Sequence, residues 1–402
     1  MRIGRTLPPA AAQLRAADLC CGVLGLVAAR RAMRVIESEI RQHFGVRHVF
    51  LVSSGTAALT LTLNALAARS GRREVVVPAY TCYSVPGAVV HAGLHPVPCD
   101  ISASSFDFDQ ARLEQVAGQD TLAVVVHHLF GVPSDVARTR ALCQARGIVV
   151  VEDAAQGMGA AASGRPLGTL GDIGIFSFGR GKSVTAGGGG AIITNSDRLA
   201  DAIRQEYEPL PSPSSIETMK HLAMVLAMVI FIRPQLYWIP AALPFLRLGE
   251  TVFPASVGLQ RLSGLQAGLL RRWQTRLRDS TRIRSATAAE LCRRMRIAEP
   301  SHSFLRLPVF APSPRHKQAL LAWSQRKGLG LSEGYPSAID ELPELRQWLL
   351  GPRCAQAQRV AAHLLTVPVH HWLSPGDLAA IADCLESVAR RTCPAEVLPQ
   401  AS

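Results

Sequence analysis

From residue 48 to residue 195, short apolar runs rich in valine and isoleucine alternate with longer stretches of helical composition. Candidate strands fall at 48–53, 74–77, 95–101, 122–127, 147–151, 173–178 and 191–195. Strands separated by helix-length segments pair through crossovers, and crossovers lay strands in one direction. The rhythm therefore predicts an α/β domain built on a mainly parallel, seven-stranded sheet.

Inside that rhythm, residues 174–190 read as a short strand, a glycine-rich turn carrying Lys182, and four consecutive glycines before the next strand. Lys182 is the only lysine ahead of Lys220 in a chain whose cations are nearly all arginine. An isolated lysine in such a turn suggests chemistry closed to arginine, because a lysine amine can lose its proton and condense with an aldehyde. A solvated turn lysine is the alternative. Asp153 ends the apolar run 147–151 and is followed by Ala154-Ala155-Gln156. A carboxylate there and a lysine downstream suit pyridoxal phosphate, which takes a carboxylate on its ring nitrogen and a lysine on its aldehyde carbon.

Five motifs occur in order: Ser53-Ser-Gly-Thr-Ala-Ala58, Pro78-Ala-Tyr-Thr81, His128-Leu-Phe-Gly131, Glu152-Asp-Ala-Ala-Gln156, and Ser177-Phe with Lys182 four residues on. Together they resemble the DegT/StrS-like family of nucleotide-sugar aminotransferases, strongly over residues 40–195. The resemblance implies the aspartate-aminotransferase-like architecture (fold type I), with a large sheet domain and a smaller C-terminal α+β domain. It also implies a cytoplasmic homodimer that moves an amino group from an amino acid, usually glutamate, to a keto sugar nucleotide. Under it Lys182 binds the cofactor and acts as base, Asp153 pairs with the ring nitrogen, and Gln156 reaches the ring hydroxyl. The backbone N–H groups of Thr56 and Ala57, at a helix N-terminus, hold the phosphate together with Ser177. An ordinary N-cap by Ser54 or Thr56 explains the first motif equally well.

Three positions depart from the family pattern. Cys82 stands where an aromatic residue usually stacks on the ring, leaving its sulfur to pack against the ring or Tyr80 or Tyr83 to swing in. Gly188 replaces a glutamate, and Leu259 replaces an asparagine that reaches the partner subunit's cofactor, leaving Gln260 or Arg261 to substitute.

Nine cysteines without a C-x-x-C pair give neither a zinc pattern nor a disulfide framework, so a reducing compartment is expected. Metal ligation by His127-His128 or by His91 and His95 is not expected: adjacent strand residues face opposite ways, and Pro96 disfavours a helix across the second pair. The net charge of +13 includes nine arginines between 271 and 296, but no nucleic-acid-binding motif accompanies them.

The chain divides into an N-terminal segment (1–40), the cofactor domain (41–208), an apolar insert (209–256) and a long helix with the small domain (257–402), whose candidate strands are 304–310 and 364–369. The apolar run 19–29 lies between arginines and is too short to span a bilayer, as are 222–232 and 236–246. A signal peptide at 19–29 is disfavoured by its late start and by Arg30-Arg31. The insert's two runs, broken at Arg233-Pro234, are expected either to pack on the protein or its dimer mate, or to make peripheral membrane contact through 222–246 aided by Lys220, Arg233 and Arg247.

Overall fold

A computed structural model describes residues 2–389 except 247, 250, 300 and 301, so Arg247 lies outside the described residues. All seven expected strands form and join one sheet: β1 (His48–Val52), β2 (Glu74–Pro78), β3 (His95–Cys99), β4 (Thr121–His127), β5 (Val149–Asp153), β8 (Ile173–Ser177) and β9 (Gly190–Thr194). Their order is β1-β9-β8-β5-β4-β2-β3. The pairs β8–β5, β5–β4, β4–β2 and β2–β3 are parallel, and β9 is antiparallel to both β1 and β8. Central β4 is buried along its whole length, as its Leu-Ala-Val-Val-Val run requires of a strand covered on both faces. Two-residue strands β6 (Ala161–Ala162) and β7 (Arg165–Pro166) form a small ribbon after β5.

Helix α3 (Gly55–Ala67) is capped by Ser54 and buried on nearly every side against the sheet, α4 (Ser84–His91) and α7 (Asp197–Tyr207), while α5 (Gln110–Val116) packs on β3 and α6 (Val136–Ala145) on β4 and β5. Ahead of β1, α1 (Ala16–Val27) and α2 (Ala29–Phe44) divide at Ala28. Ile36, Ile40 and Phe44 line the buried face of α2, where Phe44 meets Phe176 with ring centroids 4.5 Å apart. Helix α1 lies on α10 (Gly264–Leu269) backbone to backbone: a Cβ on Gly25 would stand 2.2 Å from the Gly264 carbonyl oxygen. The outer side of α1 leaves Leu24 and Val27 exposed.

The insert forms α8 (Ser215–Phe231) and α9 (Pro234–Ala241), which divide at Arg233-Pro234. Beyond α10 come the long α11 (Trp273–Met295), the antiparallel pair β10 (Leu307–Phe310) and β11 (Leu364–Val367), and helices α12 (Pro314–Lys327), α13 (Ala355–His363) and α14 (Pro375–Ala389). Both strands start or end a few residues inside their expected bounds. Their core, around Leu291, Leu320 and Ile381, takes in Leu7 from the N-terminal segment.

Candidate active site

Ser53-Ser54 after β1, Tyr80 to Cys82 after β2, His128 after β4, Asp153 on β5 and Ser177 on β8 all fall at the carboxyl ends of strands running in one direction. Ligands of open α/β sheets bind at that edge.

Lys182 is half-buried on the turn after β8. Burial pushes its amine below the usual lysine range, while Cys82 and Asp153 pull it back and the Arg306 cation pushes it further down. Burial raises the Asp153 carboxyl, opposed by Lys182 and by the Ala155 N–H, which donates to Asp153 Oδ1 at 3.0 Å. The amine and the carboxyl thus stand close enough for each to favour the other's charged form.

Beneath Asp153, the side chain of Glu152 is fully buried. Its Oε1 accepts from His128 Nε2 at 2.8 Å and from the Gly168 N–H at 2.5 Å, and its Oε2 accepts from the Leu170 and Gly171 N–H groups at 2.7 and 2.8 Å. Burial works against its charge, yet the hydrogen bonds from His128 and these backbone donors outweigh it and hold the carboxyl below its usual range. His128 Nδ1 accepts from the Ser134 N–H at 3.1 Å, so its proton sits on Nε2. His127 is also structural: Nε2 donates to the Phe106 carbonyl at 3.0 Å and Nδ1 accepts from Thr81 Oγ1 at 3.1 Å. Among the described residues no cluster of metal-ligating side chains occurs.

At the head of α3, Ser54 Oγ accepts from the Ala57 N–H at 2.9 Å, the N-cap arrangement that the sequence also allowed. A Cβ on Gly55 would lie 2.8 Å from Ser177 Cβ and 3.1 Å from its Oγ, so only glycine lets the helix N-terminus come this close to Ser177. Thr56 is half-buried at the same end. A phosphate suits this cradle: N–H groups, the positive end of a helix dipole and one hydroxyl converge where a side chain would block. Together with a desolvated lysine and a neighbouring carboxylate, the residues fit pyridoxal phosphate.

The polar side chains nearby have partners within the chain. Gln156 is already engaged at both ends, its Oε1 accepting from the Phe130 N–H at 3.2 Å and its Nε2 donating to the Tyr335 hydroxyl at 2.8 Å. Tyr80 and Tyr83 do not swing toward Cys82. Tyr80 OH accepts from the Tyr335 N–H at 3.2 Å and Tyr83 OH from the Ser337 N–H at 3.0 Å, which fastens the 335–337 loop instead. Cys82 Sγ accepts from Ser84 Oγ at 3.0 Å.

The other two departures meet at the insert. A Cβ on Gly188 would stand 3.1 Å from both Gln266 Nε2 and His221 Cε1, so α8 occupies the space a longer side chain would need. Gln260 donates to Glu217 Oε1 at 3.0 Å, and Arg261 donates to the Glu208 carbonyl at 2.6 Å beneath the Tyr207 ring. The Arg261 Nε is buried without a hydrogen-bond partner.

Two site residues escaped the sequence reading. Tyr335 stacks near Phe130, with centroids 6.3 Å apart and planes at 19°, and Arg306 lies over the same Phe130 ring at 5.7 Å. Phe130 itself has φ of 57°, a left-handed backbone held by Gln156 on its N–H and by the Leu305 N–H, which donates to its carbonyl at 2.7 Å. The signal for Arg306 is a lone cation inside an apolar strand run, and Tyr335 stands in no motif that singles it out.

A family model for the DegT/DnrJ/EryC1/StrS aminotransferase family matches residues 28–386. The chain belongs to that family. A GDP-perosamine synthase of Vibrio cholerae is 34% identical over 165 residues, 41% of this chain and 45% of that one. A UDP-N-acetyl-3-dehydro-alpha-D-glucosamine 3-aminotransferase of Acidithiobacillus ferrooxidans is 37% identical over 188 residues, 47% and 50% of the two chains. The chain thus spans about half the length of the curated relatives it matches. In fold it resembles Helicobacter pylori PseC, an aminotransferase of pseudoaminic acid biosynthesis, with a TM-score of 0.76 over 96% of this chain and 100% of that one at 16% identity. The sugar aminotransferase CalS13 of Micromonospora echinospora gives a TM-score of 0.74 over 95% and 99% at 19% identity.

Proposed function

We propose that this protein is a pyridoxal-phosphate-dependent aminotransferase that moves an amino group from an amino acid, glutamate in the first instance, to the keto carbon of a nucleotide-linked sugar. The carrier is a nucleotide in the names of the two relatives above. The supporting observation is that Lys182, Asp153, Ser177 and the Gly55 cradle stand together at the carboxyl ends of the sheet's strands. The bound cofactor would supply an electron sink for the carbanion at the donor's α-carbon. Lys182, held toward its neutral form, would bond the cofactor's aldehyde carbon and serve as base for the α-carbon proton. Asp153 would orient the ring nitrogen and keep it protonated. Thr56, Ala57 and Ser177 would face the phosphate, Cys82 would lie beside the ring in place of an aromatic side chain, and Gln156 would fix Tyr335 at its edge.

In this reading the unit is a cytoplasmic homodimer, with 41–208 carrying the cofactor and 257–402 including the small domain, and its aminated sugar enters a surface glycan. Contact with the inner face of a membrane belongs to the same proposal. It is supported by exposed Leu226, Ile230 and Phe245 on the insert and by exposed Lys220 and Arg233. Among the described residues no helix is long and apolar enough to cross a membrane. The test is product mass after incubating the loaded protein with glutamate and keto-sugar substrates. A product with the keto oxygen replaced by an amine is expected, and recovery of unchanged sugar across the panel would reject the function.

A further inference from the structure

Gln156, Tyr80, Tyr83 and Cys82 all find hydrogen-bond partners within the chain. Arg306 does not. Among the described residues its half-buried side chain makes no hydrogen bond or ion pair, and its Nε is sealed off without an acceptor. The guanidinium rests instead over the Phe130 ring, 5.7 Å from the centroid. Its backbone is tied down: the preceding Leu305 donates its N–H to the Phe130 carbonyl at 2.7 Å, and the Leu305 carbonyl accepts from the buried Arg284 guanidinium. Phe130 follows β4 and is held in turn by Gln156. The cation is therefore anchored at the end of β4 without being neutralised there.

Such a placement has a cost. Arg306 disfavours the charged form of the Lys182 amine, and two positive groups in range of each other repel until an anion joins them. Asp153, the carboxylate that acts on Lys182, is assigned to the ring nitrogen. The cofactor's phosphate does not serve either. Its cradle lies at the ends of β1 and β8, Asp153 ends β5, and Phe130 follows β4. In the sheet order β1-β9-β8-β5-β4, Arg306 thus stands across Asp153 from the cradle.

The anion left to consider comes with a substrate. In the amino donor, the α-carboxylate is bonded directly to the carbon whose proton Lys182 would take, so it arrives beside that amine whenever the donor is bound productively. The diphosphate of a nucleotide-linked sugar is separated from its keto carbon by the sugar ring and lies farther off. We propose that Arg306 pairs with the α-carboxylate of the amino donor and so turns the α-carbon proton toward Lys182. The inference rests on the aminotransferase reading and names the residue within it that selects α-amino acids over other amines. A guanidinium suits the task, because its planar fork meets both oxygens of a carboxylate at once.

The test follows the absorbance of the full-length, cofactor-loaded protein as glutamate, isoglutamine (its α-amide) or glutamine (its γ-amide) is added. The wild type should react with glutamate about 10- to 100-fold more efficiently than with isoglutamine, the range of a charge-assisted hydrogen bond. Arg306→Gln should erase that preference and leave the ratio of glutamate to glutamine as it was. Arg306→Lys, which keeps the charge without the fork, should restore part of it. Calorimetric titration with 2-methylglutamate, which has the carboxylate but no α-proton, makes the same comparison without turnover, and Arg306→Gln should weaken its binding about tenfold. A merely structural residue would slow all three donors together and keep their ratios. The proposal is overturned by a wild type that treats glutamate and isoglutamine alike, by an Arg306→Gln protein with the wild-type ratio or unchanged 2-methylglutamate binding, or by collapse of the glutamate-to-glutamine ratio instead. A wild type that responds to none of the donors removes the aminotransferase reading and the role of Arg306 with it.

Discussion

Replacing Glu152 with glutamine should destabilise the protein far more than its near-isosteric shape suggests. The carboxylate takes four donors on two oxygens: His128 Nε2 and the Gly168 N–H on Oε1, and the Leu170 and Gly171 N–H groups on Oε2. A glutamine amide has one oxygen, so whichever way it is turned, two buried donors face an NH₂ group. Each buried donor left unsatisfied costs about 1–3 kcal/mol, which gives a loss of about 2–6 kcal/mol from a net stability on the order of 5–15 kcal/mol. The loosened segment includes residues 168–171 under the end of β5, so Asp153 should lose its fixed position as well. Urea unfolding followed by circular dichroism at pH 7 measures the first effect through the midpoint. A midpoint shift equivalent to less than about 0.5 kcal/mol, the range of an ordinary surface substitution, would refute the role assigned to Glu152.

Burial pushes His127 down to about 4 and His370 down to about 3. Each is neutral in the fold where the unfolded chain, titrating near 6.5, is already protonated, so stability must fall as pH drops from about 6.5 toward 4. At pH 5 the loss is on the order of 2 kcal/mol for each ring, and urea midpoints at pH 7 and pH 5 that coincide would contradict it. Gly25→Ala drives a Cβ into the Gly264 carbonyl oxygen, a backbone atom that no rotamer change can move aside, so α1 should lift from α10 at a cost of about 1–3 kcal/mol. Faster tryptic cleavage at Arg30-Arg31 is the readout, and wild-type cleavage kinetics would count against the contact. Light scattering at working concentration should report a dimer; a strictly monomeric, fully active enzyme would exclude that expectation. Intact protein should float with anionic vesicles at low salt, and complete retention in the soluble fraction would leave the insert a purely structural role.

The sheet was legible because its strands carry their own punctuation: valine-rich runs such as 122–126 and 149–151 are too short for helices and too apolar for loops. The direction of β9 was not legible, since nothing in Ala191 to Thr194 distinguishes a parallel strand from an antiparallel one. The sequence located Lys182, Asp153 and Ser177 through motif order, and the fold gathers them at one edge. It could not foresee that Tyr80 and Tyr83 fasten the 335–337 loop, because that depends on a contact between residues more than 250 apart. Arg306 and Tyr335 were missed for the same reason: each comes from the C-terminal part of the chain and acquires its meaning only beside Phe130. The departures at Gly188 and Leu259 looked independent in sequence. The fold shows α8 bearing on both neighbourhoods, through His221 against Gly188 and through Glu217 on Gln260.

The central claim, that Lys182 binds and operates a pyridoxal cofactor, is tested most directly by absorption spectroscopy of the cofactor-loaded protein and its Lys182→Arg variant during glutamate addition. The wild type should show a visible absorbance that changes as glutamate is added. The variant keeps the charge but cannot bond the aldehyde carbon at neutral pH, so it should lack both that absorbance and turnover. Unchanged turnover in Lys182→Arg would contradict the account.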